Sequence, residues 1–95
     1  MNRDEFIDSQ YALLHEWSAQ VDRLQEQMKA GTDATRAAAE KQLAELKKQQ
    51  AAAEAQLAKM RTANEAALKD MQEGYQRIAQ EYQETLKRAW SRFQP

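Results

Sequence analysis

The stretch Leu24-Gln25-Glu26-Gln27-Met28-Lys29-Ala30-Gly31-Thr32-Asp33 decides how this chain folds. On its N-terminal side an apolar stripe arrives at steps of three and four through Ile7, Leu14, Trp17, Val21, Leu24 and Met28, with Gln10 filling the slot between Ile7 and Leu14. That spacing holds side chains on one face of a helix. On the far side a second stripe takes over: Ala39, Leu43, Leu46, Gln50, Ala53, Leu57 and Met60. Between the two lie the strongest turn signals in the chain. Gly31 can occupy the left-handed position just past a helix end, and Thr32 or Asp33 can cap the helix that follows. Lys29 suits the negative end of a helix dipole. Against a break, the eleven residues from Met28 to Ala39 equal one heptad plus four, an insertion that a continuous helix absorbs by local unwinding.

A second, weaker break lies at Thr62-Ala63-Asn64-Glu65, where Thr62 and Glu65 have the spacing of a capping box and Lys59 and Arg61 precede it. Asn64 is either a turn residue or, in a continuous helix, a polar seam residue that fixes register. Beyond it runs a third stripe: Ala67, Met71, Tyr75, Ile78, Tyr82, Leu86, then Ala89 or Trp90, and Phe93. Gly74 interrupts it at a cost of about 1 kcal/mol relative to Ala, which points to a bend or a close helix contact.

The fold class is therefore all-α, a single helical coiled-coil domain over residues 1–95. With both breaks, helices at 3–30, 33–61 and 64–93 build an up-down-up three-helix bundle. With the second break alone, a long helix and a shorter one make an uneven helical hairpin completed by another chain. Composition supports helix throughout: the residues are 42% hydrophobic and 31% charged, there are two Gly, and the one Pro is residue 95. Ile7, Val21 and Ile78 are the sole Val or Ile, leaving little from which to build a sheet. The expected packing seam is Leu14, Trp17, Val21, Leu24, Met28, Leu43, Leu46, Leu57, Met60, Met71, Tyr75, Ile78, Tyr82, Leu86 and Phe93. Its middle third is thin, rich in Ala, so self-association into a homo-oligomer is expected to complete the burial.

Charge and residue inventory narrow the function classes. A net charge of −1 gives no overall field for nucleic acid. Cysteine is absent, so thiolate chemistry, disulfides and Cys-ligated metals are excluded. The single histidine, His15, has Ala at positions 12 and 19, so neither a zinc-protease helix nor a di-iron Glu-x-x-His motif forms around it. Ser9, Ser18 and Ser91 lack a Gly-flanked elbow, and the two glycines are too far apart for a phosphate loop. No catalytic, cofactor-binding or metal-binding residues are assigned, and no enzyme activity is expected. The N-terminus has no signal-peptide core and no apolar run spans a bilayer, so a cytoplasmic location is expected. The aromatic and basic residues Tyr75, Tyr82, Trp90, Phe93, Arg77, Lys87, Arg88 and Arg92 suggest membrane-surface binding as a second reading. Glu73, Glu81 and Glu84 dilute that basic charge, and the narrow stripe favours helix packing.

Several blocks taken together resemble a family of small bacterial coiled-coil proteins associated with stress responses. They are Leu14-His15-Glu16-Trp17 with Val21 and Leu24, Glu40 through Leu46, Ala53 through Leu57, Leu68 through Gly74, and Ser91-Arg92-Phe93. Family members often carry Trp at the position of Leu68 and usually lack a glycine in the first third, so Gly31 departs from the pattern. The resemblance implies a bacterial cytoplasmic protein linked to stress, and it supplies no catalytic residues.

Overall fold

In a computed structural model describing residues 2–91, the chain forms three helices: α1 (Arg3–Ala30), α2 (Asp33–Thr62) and α3 (Glu65–Ser91). Both breaks are real, so neither the uneven hairpin nor the continuous helix is adopted. Each start is capped by a short polar side chain. Asn2 Oδ1 accepts from the Glu5 amide at 2.8 Å while its Nδ2 donates to the Glu5 carboxylate. Thr32 Oγ1 accepts from the Thr35 amide, and Asn64 Oδ1 accepts from the Ala67 amide at 2.8 Å. These bonds satisfy N–H groups that a helix start leaves without partners.

Two local expectations are corrected. Gly31 is not left-handed: its φ of −87° and ψ of 173° are extended, and no described residue has positive φ. The turn closes instead through the Gly31 amide, which donates to Met28 O at 3.1 Å, and through Arg36, which reaches back to the carbonyls of Met28 and Gly31. With the side chain satisfying the helix end, no Schellman geometry is required. The Thr62–Glu65 capping box also fails to form. Thr62 remains the last residue of α2, and Asn64, nearer the start of α3, supplies the cap.

The helices follow an up-down-up course. Tyr75 bonds Gln10 and Tyr82 bonds Trp17, each across 65 residues, so α1 and α3 are parallel and in register. Arg61 meets Asp4 and Asp8 while Arg36 meets Met28, so α2 runs antiparallel to α1. Gln56 to Met71 and Gln50 to Tyr82 set α2 antiparallel to α3. The bundle is 49 Å long and 18–19 Å across. That length matches a 30-residue α2 at about 1.5 Å per residue. One core runs along the axis, from Ile7 and Met60 at one end to Met28, Leu43 and Ala89 at the other.

Candidate functional site

The three helix pairs are not equivalent. α2 lies close against both neighbours, whereas the backbones of α1 and α3 stay apart. Small residues explain the first half of that statement: Ala39 and Ala53 of α2 are fully buried, and they let a partner helix approach. Gly74 of α3 lies so close to α2 that a Cβ there would come within 3.3 Å of Gln56 Nε2. In the space left, Gln56 donates to the carbonyl of Met71 at 3.0 Å. Gly74 therefore marks a close helix contact.

Large aromatic side chains fill the wider α1–α3 gap. Trp17 and Tyr82 stack with ring centroids 4.5 Å apart and planes 14° from parallel. Phe6 meets Tyr75 edge to face at 6.4 Å. Both tyrosines are almost completely buried, so each phenol needs an acceptor. The two glutamines that interrupt the apolar stripes supply them. Tyr75 donates to Gln10 Oε1 at 3.0 Å; the Tyr82 hydroxyl lies 3.3 Å from Trp17 O and 3.4 Å from Gln50 Oε1. Burial pushes both phenols up to about 12.

Of the expected seam, Leu14, Trp17, Val21, Leu24, Met28, Leu43, Leu46, Leu57, Met60, Tyr75, Tyr82 and Leu86 are buried together in this core. Met71 and Ile78 are half-buried and pack against it. Phe93 lies outside the described residues. Ala89 is buried and Trp90 half-buried, so both candidates for that stripe position face inward to different degrees. Sequence reasoning missed Thr85. It is buried because its hydroxyl donates back to Glu81 O at 2.9 Å, which satisfies the polar group within its own helix.

Toward the C-terminal ends of α1 and α3 the aromatic filling stops and the gap opens as a cleft of about 570 Å³. Its walls are Trp17 and Gln20 on α1 and Gln83, Leu86, Lys87 and Trp90 on α3. Leu13, one turn before Trp17, is half-buried and packs against the core, and Glu16 beside it is exposed. The cleft therefore has an apolar floor with Lys87 on its rim. His15, on the α2 side of α1, is exposed and lines a smaller hollow with Tyr11, Ser18 and Glu54. Among the described residues no group of three or more His, Cys, Asp or Glu is placed to hold a metal ion. No described helix is long and apolar enough to cross a membrane.

Fold and cleft together define an all-α three-helix bundle in which, among the described residues, the seam between the parallel helices opens as a cleft. No protein family, curated protein or solved structure matches the chain.

Proposed function

We propose that this chain is a non-enzymatic interaction protein that works by helix–helix self-association, in the cytoplasmic, stress-related setting implied by its resemblance to the bacterial coiled-coil family. The observation that carries the reading is the open α1–α3 seam. Three helices satisfy one another along α2, but the parallel pair leaves Trp90 and Leu13 only half-covered around the cleft. Half-covered large apolar side chains beside a groove favour a further helical surface packed against them. Leu46 and Leu57 lie wholly within the chain's own core, so association draws on partly covered groups such as Leu13 and Trp90 rather than on them.

A second reading is peripheral binding to a lipid surface, favoured by the half-buried Trp90 between exposed Arg88 and Lys87 on one side and Ser91 on the other. Sedimentation velocity over a concentration series, with and without anionic phospholipid vesicles, separates the two. Concentration-dependent growth of the sedimenting species that ignores vesicles is the expected result. A monomer that pellets with vesicles overturns it in favour of the lipid reading.

A further inference from the structure

Beyond contact between folded copies, we infer that the chain also dimerises by exchanging α1. The α1–α2 turn straightens, residues 3–62 become one helix, and each α1 packs against α2 and α3 of a second copy. Three observations at the turn carry this. Gly31 and Thr32 are both extended with negative φ, so the reversal uses no conformation that glycine alone adopts readily. A Cβ at Gly31 would meet Met28 O at 3.5 Å and the Thr35 side chain at 3.6 Å, which is ordinary contact. The connection is also short, with Gly31 and Thr32 alone between Ala30 and Asp33, and short hinges invite exchange between copies. Lastly, Met28 and Ala39 are both buried and stand eleven residues apart. Eleven residues make three turns to within about 20°, so a single helix through the turn keeps both on one face.

A two-fold axis perpendicular to the long helices, passing midway between them at the turn, sets them side by side and antiparallel. At each end of the dimer one copy's α1 then lies antiparallel to the other's α2 and parallel to its α3, as within the single chain. This arrangement asks one face of the long helix to serve both α1 and α2, and the eleven-residue step supplies that. Core contacts away from the turn are kept, with the Trp17–Tyr82 stack and the Arg61–Asp8 pair forming between copies. What changes is the turn itself. The Thr32 cap on Thr35 and the two 3.4 Å bonds from Arg36 to Met28 O and Gly31 O are given up. Helical bonds through residues 31–34 replace them, joining the orphan groups of two helix ends. The second turn is built otherwise. Met60 and Met71 are also eleven residues apart, but there Arg3 crosses from α1 to bond Arg61 O and Ala63 O, and α2 packs closest against α3. Exchange therefore takes place at the first turn and moves α1.

The test co-refolds D8C chains with R61C chains from urea over a concentration series, then adds a short bismaleimide. Positions 8 and 61 face each other, and the chain has no cysteine of its own. In an unexchanged bundle both positions belong to one chain, so linking the two different variants requires exchange or contact at a surface. D33P separates these. Residue 33 opens α2 after an extended Thr32, a place that suits Pro, and the change costs the hairpin only an exposed 3.6 Å pair with Arg36. In a continuous helix the same Pro is interior, and exchange should fall about ten-thousandfold per dimer. G31A, which the turn accommodates, should favour exchange roughly tenfold. Circular dichroism checks that each variant remains helical. The expected result is links that grow with refolding concentration, increase with G31A and vanish when both chains carry D33P. Small-angle scattering should show the exchanged species to be about 90 Å long, against 49 Å for the single bundle. Links absent with and without G31A at every concentration, or links that survive D33P, would overturn exchange. Contact between folded copies is then judged separately, by sedimentation of the D33P chain.

Discussion

The two ends of this bundle are built differently. Where α1 begins and α2 ends, the helices are tied by polar groups reaching between elements. Arg3 donates to the carbonyls of Arg61 and Ala63, at 3.3 and 2.6 Å, closing the C-terminus of α2. Arg61 reaches back to Asp8 at 3.0 Å and Asp4 at 3.7 Å, and the Asp8 hydrogen bond raises its guanidinium pKa. Beneath these contacts Ile7, Leu57 and Met60 are fully buried. At the opposite end Arg36 ties the α1–α2 turn, but Met28, Leu43 and Leu86 each keep 7–9% of their surface exposed, and the cleft begins. Exposed ion pairs add little to stability individually. What distinguishes the first end is that charged groups also satisfy helix-terminal carbonyls over a sealed core. The contrast teaches that, among the described residues, the bundle is sealed at one end and more open at the other.

The sharpest way to break this comparison is to place a charge in each half of α2. Leu57→Asp puts a carboxylate where no solvent reaches, and should cost upwards of 4 kcal/mol, leaving the chain largely unfolded by circular dichroism. Leu43→Asp, at the open end, lets its carboxylate turn outward and should cost about half as much, with a cooperative melt retained. Equal losses at the two sites would show that the ends are equally sealed.

A smaller effect links both halves through the tyrosines. Tyr75 and Tyr82 have folded-state values near 12 against about 10 in an unfolded chain. Their protonated forms are therefore favoured by folding. The sign follows: this stability is fully present below pH 10 and is lost as pH rises from about 10 to 12, by up to about 2–3 kcal/mol per phenol. Chemical denaturation across that range should show the decline, and Tyr75→Phe combined with Tyr82→Phe should flatten it. An unchanged slope in the double variant would assign the alkaline loss to other groups.

How much of this was legible in the chain beforehand depends on the kind of interaction. Helical character followed from apolar spacing at steps of three and four, but that spacing left a continuous helix and a hairpin open, and the helix ends rested on turn and cap signals alone. The caps were less accessible. Several of Thr32, Asp33, Thr62 and Asn64 could end or start a helix, and the choice is made by which side chain meets a free amide. Arg36 closing the first turn could not be foreseen, since it acts across eight residues only after the chain reverses. Gln10 and Gln50 stand in the apolar stripes as polar residues, and their role depends on tyrosines far away in sequence. A clue was present: Tyr75 and Tyr82 are seven apart, as are Gln10 and Trp17, so a single offset satisfies both pairs. The cleft carried no local signal, because it arises from the separation of two helices.

The smallest predicted effect concerns Gly74, at the closest approach of α2 to α3. Replacement by Ala gains helix propensity of about 1 kcal/mol. Against that, the new Cβ meets the amide end of Gln56 at 3.3 Å. The obstructing group is the tip of a flexible side chain, so it can move, but moving it surrenders the bond to Met71 O, worth about 1 kcal/mol. The two terms nearly cancel, and Gly74→Ala should change stability by less than about 0.5 kcal/mol. Gln56→Ala separates them: in that background the obstruction and the bond are both gone, so Gly74→Ala should stabilise by close to its full propensity gain. A double-mutant cycle by urea denaturation gives the coupling directly. A coupling near zero would mean that Gln56 adjusts freely and that small residues, with no need of the glutamine bond, hold α2 and α3 together.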